Sequence, residues 1–283
     1  MNKVNLTDSI VSVHWLKDNL SAENLIIFDA SMKPIVPVVV DAVPETRVYI
    51  PGSLRFDFDD VLTDHSTSLP HMMPSAGFFQ EEMRKMGVNQ DSAIVAYDKD
   101  GIYSSPRAWW MFRVVGHEQV AVLDGGLPAW IQAGYDTTPT LATPKGGGNF
   151  ASRPQEGLFV DSRFVLQALS DSTYSVIDAR SEGRFKGQEP EPRPGLRSGH
   201  MPNAVNIPHT SVLENGKLMP KSELRSIFEP YKHKKMIFSC GSGVTSCVVA
   251  LAAEQVGHKE MAVYDGSWTE WGNPNSGLPV EKD

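Results

Sequence analysis

The residue best placed for chemistry in this sequence is Cys240. It closes a short apolar run, Met236-Ile237-Phe238-Ser239-Cys240, and a loop of small residues follows, Gly241-Ser242-Gly243-Val244-Thr245. An apolar helical stretch then runs from Cys247 to Ala253. The pattern predicts a strand that ends in a cysteine and a helix that begins just beyond the loop. Such a loop turns backbone N–H groups inward and faces the positive end of a helix. Both effects favour a thiolate over a thiol. The expected chemistry is therefore nucleophilic attack by a sulfur held in an anion cradle. Cys247 is the other cysteine of the chain. A disulfide needs Cα atoms within about 7 Å, which a loop running into a helix does not provide, so Cys247 is expected to be buried and inert. No His, Cys and carboxylate residues cluster at zinc-binding spacing, and no glycine-rich loop precedes Lys-Ser/Thr. Neither a metal nor a cofactor is expected.

The elements that must hold this loop occur twice. Ile94-Val95-Ala96-Tyr97-Asp98 matches the run that ends at Cys240. Val120 to Gly126 matches Met261 to Ser267, Gly116-His117 matches Gly257-His258, and Trp130 matches Trp271. The offset is 142 positions from Asp98 to Cys240 and 141 from Asp124 to Asp265. Upstream, Ile27-Phe28-Asp29-Ala30 matches Val176-Ile177-Asp178-Ala179. Within each copy, short apolar runs alternate with helical patterns. In the first copy a helix is expected over Val11–Leu20, with Ser9 as its cap. Leu25–Phe28 reads as a strand, Phe78–Met86 as a helix, Ala93–Tyr97 as a buried strand and Val120–Leu123 as another. A helix beginning at Pro106 is expected to be capped by Ser105. This βαβ rhythm argues for an α/β fold in which each copy builds a mostly parallel sheet with helices on both faces. Thr143 to Asn149 is glycine-rich and reads as a linker. The expected division is residues 1–142, a linker over 143–158, and 159–283. Only the second copy carries a cysteine at the strand end. The first has Asp98 there, so the second copy is expected to be the catalytic one.

Composition narrows the partners. The chain has 283 residues, and its net charge of −8 with no run of five Lys/Arg leaves no footprint for nucleic acid or anionic membranes. The basic Lys232-His233-Lys234-Lys235 reads as a solvated turn. The sequence from Met1 to Ser9 lacks the apolar core of a signal peptide, and no run of about 18 apolar residues occurs. Two cysteines make no disulfide framework, so a reducing cytoplasm is the expected compartment. A monomer is expected, because the repeat already buries one interface.

Cys240-Gly241-Ser242-Gly243-Val244-Thr245, the Asp-Gly-(x)4-Trp signature in both copies, and Gly199-His200-Met201-Pro202-Asn203-Ala204 together resemble the two-domain rhodanese-like sulfurtransferases. The resemblance spans about residues 5–275. It implies tandem rhodanese-like domains, the first having lost its cysteine, with Asp98 in that place. It also implies a reaction in which Cys240 accepts a sulfur as a persulfide and passes it on. Family members that use thiosulfate carry Arg then Lys after the cysteine; here those positions are Gly241 and Ser242. A neutral loop suits a keto acid with one carboxylate, which implies 3-mercaptopyruvate as donor, pyruvate as product, and a thiol such as thioredoxin, or cyanide, as acceptor. Arg184 and Arg193 match the family's substrate arginines, and a guanidinium can grip a carboxylate by two bonds. Arg180 reads as structural. Loop N–H groups from Gly241 through Gly243 and Val244 to Thr245 are expected to hold the persulfide. The resemblance also pairs Ser242 with His71 and Asp59 in a proton relay, with Asp57 as a rival for Asp59. Two other readings stay open: a thiosulfate sulfurtransferase and a non-catalytic sulfur carrier. A phosphatase is disfavoured, because Ser246 stands where an arginine would close the phosphate cradle.

Overall fold

Five apolar residues in succession, Ala93–Tyr97, have no polar face to give to water, and they become a strand buried along its whole length. That pattern sets the architecture in a computed structural model that describes residues 2–35 and 47–283. Two compact units appear. One comprises Met1–Leu62, Pro74–Gln155 and Asn215–Lys217; the other comprises Thr63–Met73, Glu156–Glu214 and Leu218–Asp283.

The strands of the first unit are β1 (Ile10–Val11), β2 (Leu25–Asp29), β3 (Leu54–Arg55), β4 (Ala93–Tyr97) and β5 (Val120–Leu123). Its helices are α1 (Val13–Asn19), α2 (Ala76–Lys85), α3 (Ser105–Val114) and α4 (Gly126–Gln132). All strand pairs are parallel, in the order β1-β5-β4-β2-β3. Leu16, Ile27, Val95, Tyr97, Leu123 and Trp130 share one core on this sheet.

The second unit repeats the plan. β6 (Phe159–Val160), β7 (Tyr174–Asp178) and β8 (Val205–Asn206) are followed by the short pair β9 (Leu213–Glu214) and β10 (Lys217–Leu218), then β11 (Lys235–Ser239) and β12 (Met261–Tyr264). The helices are α5 (Ser162–Ala168), α6 (Glu182–Phe185), α7 (Lys221–Phe228), α8 (Ser246–Gln255) and α9 (Ser267–Trp271). The parallel order is β6-β12-β11-β7-β8, strand for strand that of the first unit. After β7 the chain turns one way, to β8; after β11 it turns the other way, to β12. The carboxyl ends of β7 and β11 thus flank the point where the winding reverses, where open α/β sheets leave a crevice.

Two caps differ from expectation. Ser12, not Ser9, caps α1 and accepts from the Trp15 N–H. Helix α3 begins at Ser105 itself, whose hydroxyl goes instead to Asp98, 2.7 Å away. Ser12 directly precedes the first turn of α1, and the Ser105 hydroxyl is spent on Asp98, seven residues earlier. The stretch read as a linker is tied down over its second half. Gly148 N–H donates to Arg84, Phe150 N–H to Val88 and Arg153 N–H to Val115. No helix among the described residues is long and apolar enough to cross a membrane.

Candidate active site

Cys240 follows β11 directly and is 2 % exposed. Its backbone N–H donates to the Ser267 hydroxyl at 3.2 Å, and its carbonyl accepts from Trp268 N–H at 3.0 Å. The Gly241 carbonyl accepts from Thr269 N–H at 2.9 Å. The first N–H groups of α9 thus take up the loop's carbonyls. Helix α8 begins at Ser246 and is buried from Ser246 to Ala253. Cys247 forms no disulfide and lies inside it, its thiol donating to the Gly243 carbonyl at 3.3 Å.

Burial is the largest influence on the Cys240 thiol and pushes its pKa up. It is outweighed by hydrogen bonds from the Thr245 hydroxyl, the Ser246 N–H and hydroxyl, and the Ser242 N–H, so the net shift is downward. A pKa lowered in the fold means that thiolate formation stabilises the folded state. That contribution is present above the ordinary thiol pKa and is lost as pH falls through the lowered one. Thr245→Val removes one donor. The pH at half-maximal alkylation of Cys240 by iodoacetamide is expected to rise, and an unmoved midpoint would remove Thr245 from the cradle.

The first unit contains the same cradle with a different occupant. The Asp98 carboxylate accepts from Tyr103, Ser104 and Ser105 N–H at 3.0, 2.9 and 2.8 Å on one oxygen and from Asp100 N–H at 3.0 Å on the other. Burial raises its pKa, and those donors oppose the rise. The loop geometry therefore accepts an anion, and in this copy the chain supplies its own.

Two cations reach the cysteine loop. A Cβ added at Gly241 would stand 3.2 Å from Arg184 Nη2 and 3.8 Å from Arg193 Nη1. Arg184 lies on α6, which follows β7, and α6 is capped by Ser181. Its guanidinium is held on one edge: Nε and Nη2 both donate to Glu191 Oε2, at 3.2 and 2.5 Å. Glu191 Oε1 accepts from Arg180 Nη1 at 2.7 Å. Arg180 is wholly buried, binds both Asp178 oxygens and the Gly199 carbonyl, and lies 3.9 Å over the Trp268 ring. It is structural, as the sequence suggested.

His71 belongs to the same unit as Cys240, through the segment Thr63–Met73. Its Nδ1 lies 3.0 Å from the Ser242 hydroxyl, and both side chains are buried. The segment is anchored by Met73 N–H donating to Asp265 Oδ2 at 2.7 Å and by Asp64 N–H donating to the Met72 carbonyl. His71 has a left-handed backbone, φ +63, a conformation uncommon outside glycine that histidine adopts more readily than most residues. Asp59 belongs to the other unit, where its carboxylate accepts from Lys33 N–H at 2.9 Å and faces Arg55 at 3.8 Å. Asp57 is occupied locally, accepting from the N–H groups of Asp59 and Asp60.

Sequence reasoning missed Glu191, Ser246 and Ser267. Ser267 is the most legible in retrospect. It holds φ +47 at the position that Gly126 occupies in the first copy with φ +53. A serine where the repeat has a positive-φ glycine marks a constraint. Its hydroxyl supplies the reason, accepting from Cys240 N–H and donating to the Tyr264 carbonyl at 2.7 Å.

A cysteine with a lowered thiol pKa, held by N–H and hydroxyl donors at the switch point of a doubly wound sheet that the chain builds twice, marks the class of fold. The rhodanese-like domain model matches residues 12–133 and 163–274, and the chain belongs to the rhodanese-like family as a tandem of two such domains. It is 38 % identical to 3-mercaptopyruvate sulfurtransferase of Escherichia coli strain K12, over 97 % of this chain and 98 % of that one. It is 37 % identical to thiosulfate/3-mercaptopyruvate sulfurtransferase 1, mitochondrial, of Arabidopsis thaliana, over 99 % of this chain and 80 % of that one. Its fold is similar to the crystal structure of SseA from Escherichia coli, described as a 3-mercaptopyruvate sulfotransferase of rhodanese fold. The TM-score is 0.80 with 35 % identity, over 93 % of this chain and 99 % of that one.

Proposed function

We propose that this chain is a 3-mercaptopyruvate sulfurtransferase. The Cys240 thiolate attacks the donor sulfur, forming an S–S bond as the C–S bond breaks. The carbon leaves as the enolate of pyruvate and takes a proton. Cys240 is left as a persulfide, whose outer sulfur passes to a second thiol of the thioredoxin kind or to cyanide, restoring the thiolate. Arg184 and Arg193 bind the donor's carboxylate and ketone oxygen. N–H groups along Gly241 to Thr245 hold the anionic persulfide. Ser242 and His71, in contact at 3.0 Å, carry the proton toward the enolate, with Asp59 as the third member of the relay. The acceptor must leave Cys240 reduced between turnovers, so a reducing compartment such as the cytoplasm is the expected setting.

The observation that carries this reading is the meeting of a pKa-lowered Cys240 with two guanidinium groups over Gly241. The same two cations also leave room for a thiosulfate donor, so the donors must be compared directly. Steady-state kcat/KM is expected to be higher for 3-mercaptopyruvate than for thiosulfate. More efficient use of thiosulfate would overturn the donor assignment and keep the persulfide chemistry.

A further inference from the structure

One turn of the second unit holds both the cysteine loop and the His71 segment. β12 ends at Tyr264, and the chain passes through Asp265-Gly266 into Ser267, the first residue of α9. From there Ser267 accepts from the Cys240 N–H at 3.2 Å, and Trp268 and Thr269 N–H donate to the Cys240 and Gly241 carbonyls. Asp265 reaches the other way. It is buried, and its Oδ2 accepts from the Met73 N–H at 2.7 Å, two residues beyond His71. An N–H bond of that length to a carboxylate is of the strong, charge-assisted kind. The segment Thr63–Met73 contains no helix or strand, so its order rests on turns and side chains. Asp64 N–H and the Thr63 hydroxyl both donate to the Met72 carbonyl, at 2.9 and 3.3 Å. Those bonds close the segment on itself, whereas the bond to Asp265 ties it to the end of β12. The matching turn of the first unit is Asp124-Gly125-Gly126, where a Cβ at Gly126 would fall 2.4 Å from the Asp98 and Gly101 carbonyl oxygens. No side chain fits there to hold that loop, so the turn is equipped only where the reactive cysteine lies.

We propose that Asp265 is a positioning residue for sulfur transfer: by holding the Met73 backbone, it keeps His71 in register with Ser242, from the same turn that holds Cys240. This rests on the reading of His71 and Ser242 as the proton relay. His71 Nδ1 stands 3.0 Å from the Ser242 hydroxyl, and proton transfer needs a base kept at that range. Asp265 acts through the Met73 backbone and not on the donor. Its effect therefore belongs in kcat, while donor binding stays with Arg184 and Arg193.

The test measures kcat and KM for 3-mercaptopyruvate in wild type, Asp265→Ala, Asp265→Asn, His71→Gln, and His71→Gln combined with Asp265→Ala. Asp265→Ala is expected to lower kcat about tenfold to a hundredfold, with KM within about threefold of wild type. Asp265→Asn keeps an acceptor oxygen for the Met73 N–H and is expected to hold kcat within about threefold of wild type. Once His71 is replaced by Gln, adding Asp265→Ala is expected to change kcat by less than about threefold, because the group it positions is already gone. An equal loss with and without His71 overturns the proposal, since Asp265 would then act on the fold at large. A loss that falls mainly on KM, an unchanged kcat in Asp265→Ala, or an Asn variant as slow as the Ala variant overturns it too. If Asp265→Ala fails to fold, the same cycle is run with Asp265→Glu, whose carboxylate sits one methylene further out. A loss of kcat that needs His71 supports the proposal; no loss, or a loss in both backgrounds, overturns it. Failure of the underlying relay looks different: His71→Gln alone would then keep the wild-type kcat, and the role of Asp265 would fall with it.

Discussion

Cys240→Ser is expected to lower sulfur transfer from 3-mercaptopyruvate by about four orders of magnitude or more, with little change in the thermal unfolding midpoint. The size follows from the chemistry. A serine hydroxyl is not ionised at neutral pH and forms no stable bond to a second sulfur. The cradle of Thr245, Ser246 and Ser242 donors then has no thiolate to hold. The fold should tolerate the change, because the Cys240 backbone rather than its sulfur ties the loop to Ser267 and Trp268. Steady-state assays beside a thermal melt check both halves. Substantial residual turnover would mean that another group carries the sulfur. A large loss of stability would mean that the inactivity of the variant says nothing about catalysis.

The second large effect falls on stability. Arg180→Ala is expected to destabilise the second unit by about 3–5 kcal/mol, because it strands the buried carboxylate of Asp178 and leaves Glu191 with Arg184 alone. At roughly 2–4 °C per kcal/mol for a unit of this size, the melting transition should fall by about 6–20 °C. Burial by itself would lower the Arg180 pKa, and the two carboxylates reverse that, which shows how far the cation and the anions depend on one another. Arg180→Lys should not rescue the loss. Arg180 divides four jobs among its nitrogens: both Asp178 oxygens, Glu191, the Gly199 carbonyl and the face of Trp268. A lysine ammonium is a single point that cannot reach all of them. A loss under about 1 kcal/mol in Arg180→Ala would show that water or side-chain movement relieves the stranded charges.

Much of the architecture could be read from local pattern. Ala93–Tyr97 and Val120–Leu123 emerge as strands over the residues expected, being apolar runs of strand length rich in β-branched residues. The repeat is visible in both strand orders. The cysteine loop was legible because its strand end, small residues and helix start are consecutive in sequence. The groups that were not legible act at a distance in sequence. Glu191 matters because it joins Arg180 and Arg184 at the end of β7, and nothing in Pro190-Glu191-Pro192 announces that contact. The packing of the His71 segment with the cysteine-bearing unit depends on Asp265, 192 positions away. Ser267 was hidden for another reason: its role lies in a backbone angle, and only comparison with Gly126 exposes it. The helix caps were misplaced because Ser12 lies nearer the first turn of α1 than Ser9, and because the Ser105 hydroxyl donates to Asp98 rather than accepting from its own helix.

The central claim is that Cys240 carries the sulfur between donor and acceptor. The direct measurement is intact-protein and peptide mass spectrometry after brief incubation with 3-mercaptopyruvate. The account predicts a gain of one sulfur atom, located on Cys240, removed by a small thiol or cyanide, and missing from Cys240→Ser. Turnover without that gain, or a gain that persists in Cys240→Ser, would contradict it.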